Sequence, residues 1–264
     1  NNVSTLNGES SGMDTTNLVQ SNLTRTQPFS SYSPILQGSD YFETTNGQAS
    51  VLNGATSVSI SAWVNFDSLS AQEPIVANWH SGSTQYLMRW INPSSGIQMY
   101  FNIDSTNVNA QFPITPTINA WYNVVGTWDG STVKIYVNGV EGTPASGSGA
   151  LNSVTTSNWF GAYVSSYRLN GELSNIAFWK NTALNQDDVL NIYNNGVTQD
   201  LNSFRVVPSA WYPFDQSYTY FNGSVLVARD VINGADANGI NVIQENMVGN
   251  APGSTGNGTG TNLT

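Results

Sequence analysis

The sequence predicts an all-β protein: a sandwich of two antiparallel sheets with one short helix and extended polar arms. Three observations lead there. Residues 121–139 hold two β runs, 122–128 and 133–137. Their Val124, Val125, Ile135, Tyr136 and Val137 are the β-branched and aromatic types that suit a pleated, half-buried surface. Asp129-Gly130-Ser131 turns the chain between them, and Asn138-Gly139 supplies a second turn straight after. Turn signals also recur at short intervals, at Asn46-Gly47, Asn53-Gly54, Ser81-Gly82 and Pro93-Ser94-Ser95-Gly96. Finally, the 264 residues include 8 Trp, 12 Tyr and 10 Phe, enough to fill a large interior, while only 9% are charged. The surface is therefore neutral-polar and rich in turn-forming Asn, Ser, Thr and Gly.

The elements follow in order. Residues 1–33 are polar, with Leu18, Val19, Leu23 and Phe29 as isolated anchors, and read as an N-terminal arm. Residues 34–197 read as the main domain. Strands are expected at 35–36, 41–43, 58–66, 75–79, 85–90 and 97–101. In the third of these, Val58, Ile60, Ala62 and Val64 share one face and Ser57, Ser59, Ser61 and Trp63 the other. After the central hairpin, 142–149 is a loop of small residues, and 158–164 and 167–179 return to strand character. A helix is expected near 186–195. Asn185 caps it, Asp187 and Asp188 occupy its first turn, Val189, Leu190, Ile192 and Tyr193 form its apolar face, and Gly196 closes it. Residues 198–248 read as a segment packing on the main domain through Trp211-Tyr212-Pro213-Phe214, with short strands at 225–228 and 240–243. Residues 249–264 are Gly, Ser, Thr and Asn, a linker or second arm. The expected core includes Trp63, Trp121, Val125, Ile135, Tyr136, Ile176 and Phe178.

The hairpin Trp-Tyr-Asn-Val-Val-Gly-Thr-Trp-Asp-Gly, followed by Val-Lys-Ile-Tyr-Val-Asn-Gly, resembles the most recognisable hairpin of laminin G-like domains. These belong to the concanavalin A-like lectin/glucanase superfamily of jelly rolls. Gly38-Ser39-Asp40-Tyr41-Phe42 is similar to the family's opening strand, and the run from Ser57 to Val64 to a later one. Leu169-Asn170-Gly171-Glu172-Leu173-Ser174-Asn175-Ile176 is similar to its closing strand, and 184–193 to its last helix. The resemblance covers roughly residues 35–197 in the family's order, and implies a two-sheet antiparallel jelly roll. It implies no single function, because such folds host many. In style and motif the whole chain also resembles laminin G-like structural proteins of marine tailed phages.

Charge and cysteine content exclude several classes. Net charge is −10, from 17 acids against 7 scattered bases, which argues against nucleic acid and against anionic membrane surfaces. With no cysteine there are no disulfides, zinc thiolates or thiol catalysis, which leans toward a bacterial or viral source. The sequence starts at Asn1 and shows no signal-type or membrane-spanning apolar run. A removed start or a portion of a longer polypeptide is expected. Residues 253–263 loosely echo 8–18, as would equivalent arms entering successive modules, although the Asn/Gly/Thr bias alone also produces such echoes.

Glucanases of the superfamily place paired carboxylates along one strand, the arrangement acid/base glycoside cleavage needs. No Glu-x-Asp-x-Glu spacing occurs here, and the single histidine, His80, has no evident nucleophile partner, so a non-enzyme is expected. The resemblance makes calcium a possible cofactor at the loop rim, where Asp67, Asp104, Asp129 and Asp215 stand, but no ligand is assigned. Sugar binding would use aromatic platforms flanked by amides. Trp79 with His80, Trp90 with Asn92, and Tyr163 with Tyr167 lie near expected strand ends and are the candidates, although the same rings also suit a sandwich interior. Sequons at Asn2, Asn22, Asn222, Asn257 and Asn262 matter only in a glycosylating host. The expected function is a non-enzymatic structural module of a virion surface (capsid decoration, fibre or tail), self-associating and partnered by other virion proteins, with cell-surface glycans as a possible ligand. The alternative is an extracellular bacterial adhesin or carbohydrate-binding module. At least one arm is expected to run along a sheet edge or a subunit boundary.

Overall fold

The computed structural model describes residues 29–44, 50–70, 72–164 and 166–254. The Asn46-Gly47 turn, every sequon except Asn222, and most of both arms lie outside the described residues. Strands β1 (Ser33–Leu36), β2 (Tyr41–Thr44), β3 (Val58–Phe66), β4 (Glu73–His80), β5 (Ser83–Asn92), β6 (Gly96–Ile103) and β7 (Thr106–Phe112) come first. They are followed by β8 (Trp121–Trp128), β9 (Thr132–Val137), β10 (Val140–Glu141), β11 (Ala145–Ser146), β12 (Trp159–Phe160), β13 (Ala162–Tyr163), β14 (Tyr167–Arg168) and β15 (Gly171–Lys180). Helix α1 (Gln186–Tyr193) precedes β16 (Ala210–Tyr212), β17 (Thr219–Phe221), β18 (Leu226–Ala228), β19 (Ala237–Ile240) and β20 (Met247–Val248).

These strands form two nine-stranded antiparallel sheets and a two-stranded ribbon. The first sheet runs β10-β9-β8-β3-β15-β1-β20, with β11 on β9 and β16 on β15. The second runs β17-β18-β19-β2-β12-β4-β5-β6-β7, and β13 pairs with β14. The chain is an all-β sandwich with one short α-helix, the jelly-roll arrangement.

Alternation of side chains organises the interior. β3 aligns with β8 from Val58 opposite Trp128 to Asn65 opposite Trp121. Val58, Ile60, Ala62, Val64 and Phe66 point into the main core, where they join Tyr86, Met88, Trp90, Ile97, Met99 and Phe101 of the second sheet. Ser59, Ser61 and Trp63 take the opposite face and are buried too. A second, smaller core covers that face. It contains Val125, Tyr136, Ala177, Trp179 and Trp211 from the sheet, with Leu184, Val189, Ile192 and Leu201 above them. Ser59 takes part in this cover, accepting from Leu184 N at 2.8 Å and donating to Thr182 O at 2.9 Å.

Helix α1 begins where expected. Asn185 accepts from Asp188 N at 2.9 Å, and the Asp188 carboxylate accepts from Asn185 N at 3.3 Å, a reciprocal capping box. Arg205 then clamps Asp188 through both carboxylate oxygens, at 2.6 and 2.5 Å, a pairing the sequence gives no sign of. The helix ends earlier than expected: Asn194 at φ 43° closes it rather than Gly196, since Asn tolerates the left-handed region.

Other expectations need correcting. β7 was not anticipated, because Asn107 and Asn109 mask the alternation of Val108, Ala110 and Phe112. The short pairing of β11 with β9 lies inside the expected 142–149 loop. The expected run 167–179 is two strands, interrupted at Leu169 and Asn170. The strand expected at 240–243 is displaced to β19, and Asn241 turns the chain at φ 59°. Trp121 is only half-buried, at the first residue of β8, where its Nε1 donates to Asn250 O at 2.6 Å; it belongs to the rim, not the core. The other expected core residues are buried.

Residues beyond the helix supply strands to both sheets: β16 and β20 to the first, β17 to β19 to the second through β2. The described parts of both arms lie against the flank of the sandwich. Ala251 N donates to Ser31 O at 3.4 Å, and the Phe29 ring sits 5.0 Å from Trp211. Glu172, 4% exposed, fastens both ends. It accepts from Ser33 Oγ at 2.5 Å, Asn250 Nδ2 at 2.7 Å and Asn65 Nδ2 at 3.3 Å. Burial raises its pKa, and these hydrogen bonds only partly oppose the rise. Among the described residues, no helix is long and apolar enough to cross a membrane.

Candidate functional site: an aromatic and arginine face

The outer face of the second sheet differs from the covered first. Phe42, Phe160, Val76, Met88 and Met99 point inward. Their strand neighbours Tyr41, Trp159, Ala77, Arg89 and Tyr100 therefore turn outward. The β13–β14 ribbon packs against β4 on this side and adds Tyr163, Tyr167 and Arg168.

Two groups of rings result. In one, the Arg89 guanidinium lies 5.2 Å from the Tyr100 ring centroid and 5.4 Å from that of Tyr163. Trp79 meets the edges of the same two rings, at 5.9 and 6.5 Å. Tyr163 stacks on Tyr167 at 5.1 Å with 9° between planes. Gln72 links the group, donating to Tyr167 Oη at 3.0 Å and accepting from Arg89 Nη1. In the other, the Arg168 guanidinium lies 4.6 Å from the Tyr41 centroid and 6.0 Å from that of Trp159. His80 packs on Trp159 at 4.4 Å, its Nε2 2.8 Å from Ser157 O. Burial raises the Tyr41 pKa; the Glu43 carboxylate adds to the rise and Arg168 opposes it. Trp79, His80, Trp159, Tyr163 and Tyr167 are all half-buried, so each keeps surface for a ligand.

The backbone here is strained. Gln72 (φ 69°) and Val164 (φ 43°) occupy the left-handed region, which Asn and Asp tolerate but a β-branched residue does not. Arg168 holds the ribbon's turn in place, its Nη1 donating to Val164 O and Tyr167 O at 2.9 Å each.

The sequence-derived candidates divide. Trp79, Tyr163 and Tyr167 meet in the first group and His80 lies in the second. Trp90 is 4% exposed in the main core, its Nε1 3.3 Å from Ile114 O, and presents no ring face to solvent. Asn92 accepts from Ser94 N and Ser95 N at 3.0 and 2.9 Å and serves the β5–β6 turn. Neither joins this face. Tyr41, Gln72, Arg89, Tyr100, Trp159 and Arg168 were missed. One signal was available: a lone Arg89 inside the apolar run Tyr86-Leu87-Met88-Arg89-Trp90 has to face outward.

Other groups are committed elsewhere. Glu73 is fully buried and accepts from Ser70 N at 2.9 Å and Asn170 N at 3.0 Å, fastening loops. Asp129 Oδ1 accepts from Ser131 N and Thr132 N at 2.9 and 2.8 Å; burial favours its neutral form, but these bonds together outweigh it and lower the pKa. Asp104 Oδ1 accepts from Ala150 N at 3.1 Å, and Asp215 Oδ2 from Ser31 N at 3.0 Å. Burial raises the pKa of Asp67. Among the described residues, no three acidic, His or Cys side chains gather as metal ligands. In a cavity of about 300 Å³ beside Val51, Phe178 and Tyr212, two polar side chains are already bonded: Asn158 accepts from Tyr86 Oη at 2.7 Å, and Tyr212 Oη donates to Ala235 O at 2.6 Å.

Known proteins share this architecture. A candidate carbohydrate binding protein from Bacteroides ovatus superposes with TM-score 0.61 at 17% identity, over 84% of this chain and 61% of its own. The present chain thus spans less than two thirds of that protein. The heptameric SAP-like pentraxin of Limulus polyphemus superposes with TM-score 0.50 at 14% identity, over 75% of this chain and 91% of its own. At such identities the likeness is one of fold. No curated protein sequence matches the chain. A family model does match residues 36–190, more than half of the chain. The chain belongs to the concanavalin A-like lectin/glucanases superfamily.

Proposed function

We propose that this chain is a non-enzymatic glycan-binding module whose ligand stacks on the outer face of the second sheet. One observation carries the reading: half-buried Trp79, Trp159, Tyr163 and Tyr167 share a single face, fixed by two arginines and an amide, and among the described residues no helix roofs them as α1 roofs the first sheet. Rings held this way offer flat apolar surface to sugar C–H groups at little entropic cost. The lectin-type fold and its carbohydrate-binding neighbour support it. The non-enzymatic part rests on Glu73 and Glu172, both buried and saturated by internal donors rather than poised across a cleft.

Display on a virion surface, with other virion proteins or further copies as partners, is the second reading; an extracellular adhesin uses the same face. Isothermal titration against a panel of neutral and acidic oligosaccharides tests the binding role. Trp79→Ala and Trp159→Ala should abolish binding and leave the melting temperature nearly unchanged. Undiminished binding by both variants would place the ligand elsewhere.

A further inference from the structure

The aromatic face is rich in donors and poor in acceptors. The buried side-chain nitrogen donors without an acceptor among the described residues are Arg89 Nε, Trp159 Nε1 and Arg168 Nε, and all three belong to this face. Elsewhere such donors are satisfied: the indoles of Trp90, Trp121, Trp128, Trp179 and Trp211 each donate to an oxygen. A buried N–H without a partner is costly, and a native structure that keeps one has a reason.

The charges point the same way. The ion pairs among the described residues are Lys134–Glu141 and Arg205–Asp188, so neither Arg89 nor Arg168 is neutralised by a carboxylate. Acids are not scarce, with 17 in the chain. Arg89 is nonetheless only 9% exposed, held by rings, the Gln72 amide and the Tyr100 hydroxyl. Arg168 spends Nη1 on two carbonyls, which leaves the Nε–Nη2 edge of its guanidinium without an acceptor among the described residues. That edge is the fork that takes an oxyanion through two parallel hydrogen bonds. Glu43, in register with Trp159, is an acid on this stretch of the face. The strain at Gln72 and Val164 falls on the two segments that orient the arginines.

Resting on the glycan-binding reading, we propose that the ligand is an acidic glycan, its sugar rings on Trp159, Tyr163 and Tyr167 and its carboxylate or sulfate on Arg168. The ligand's oxygens supply the acceptors the face lacks. Its charge is met by the arginines although the protein as a whole is acidic, so recognition is local and strengthens as the aromatic walls exclude water.

The test titrates the protein with tetragalacturonate, its neutral methyl ester, a sulfated galactan tetrasaccharide and the desulfated form. At least one acidic form should bind about tenfold more tightly than its neutral partner, as loss of a charged hydrogen bond requires. Comparing the two pairs separates carboxylate from sulfate recognition. Arg168→Gln should remove the preference for the acidic form while neutral binding persists. Because Arg168 also holds the ribbon, Glu43→Gln provides an independent check: it leaves the ribbon intact and should tighten acidic binding about threefold by removing a like charge. Equal affinity for acidic and neutral forms, unaltered in both variants, would overturn the acidic preference and leave the glycan-binding reading standing. Absence of binding to all four would overturn both.

Discussion

The two outer faces of this sandwich make an instructive pair. Both carry tryptophans, but the first sheet's face is roofed and, among the described residues, the second's is open. On the first, Trp179 and Trp211 are 1% and 0% exposed beneath α1 and the segment after it. Their indole nitrogens donate to Val206 O at 2.7 Å and Asn175 Oδ1 at 3.3 Å. On the second, Trp159 is half-buried and its indole nitrogen lacks an acceptor among the described residues. Burial already tells the faces apart. The indole donors differ in the same sense: those of Trp179 and Trp211 are matched within the chain, and that of Trp159 is not.

This contrast can be broken by mutation. The largest effect is expected for Trp211→Ala, which empties a fully enclosed ring position in the smaller core. It should destabilise by about 3–5 kcal/mol in denaturant unfolding, against about 1 kcal/mol or less for half-buried Trp79→Ala. Equal losses would mean that the second face is as structural as the first. Next, Asn185→Ala removes the N-cap of α1 and half of its capping box. A loss of about 1 kcal/mol is expected by the same measurement, with glycan affinity unchanged because the helix serves only the roof.

A subtler effect concerns pH. Glu172 has its pKa raised above the ordinary glutamate value of 4.5, chiefly by burial. The folded state therefore holds this proton more tightly than the unfolded chain. The stability it contributes is present in full below 4.5 and is lost as pH rises through the raised folded value. Lowering pH from neutral toward 4.5 should raise the melting temperature through this group, and Glu172→Gln should flatten that part of the profile. An identical slope in the variant would assign the effect to other acids.

Much of the fold was legible in the sequence because its signals are local. The central hairpin needs only Asp129-Gly130 and its flanking β-branched runs. The helix start needs only Asn185 and Asp188, three residues apart. β7 was hidden because the asparagines of its open face blur the period of Val108, Ala110 and Phe112. The candidate site was legible only in part. Trp79, His80, Tyr163 and Tyr167 drew notice as aromatics near strand ends, but Trp90 drew the same notice and is core. What separates them is the phase of each strand relative to the interior, which depends on bulges such as those of β4 between Pro74 and Val76 and between Asn78 and Trp79. Tyr41 and Arg168 meet only because β2 pairs with β12 and the ribbon folds over both, and nothing in their neighbourhoods encodes that.

The central claim is that the open aromatic face receives a ligand while the roofed face does not. Indole N–H signals of nitrogen-labelled protein, followed during titration with tetragalacturonate and the sulfated galactan tetrasaccharide, test this most directly. The account predicts that the Trp159 signal moves strongly downfield as its orphaned donor gains an acceptor, that Trp79 shifts with it, and that Trp179 and Trp211 stay in place. Movement of Trp179 or Trp211 with a stationary Trp159 would contradict it.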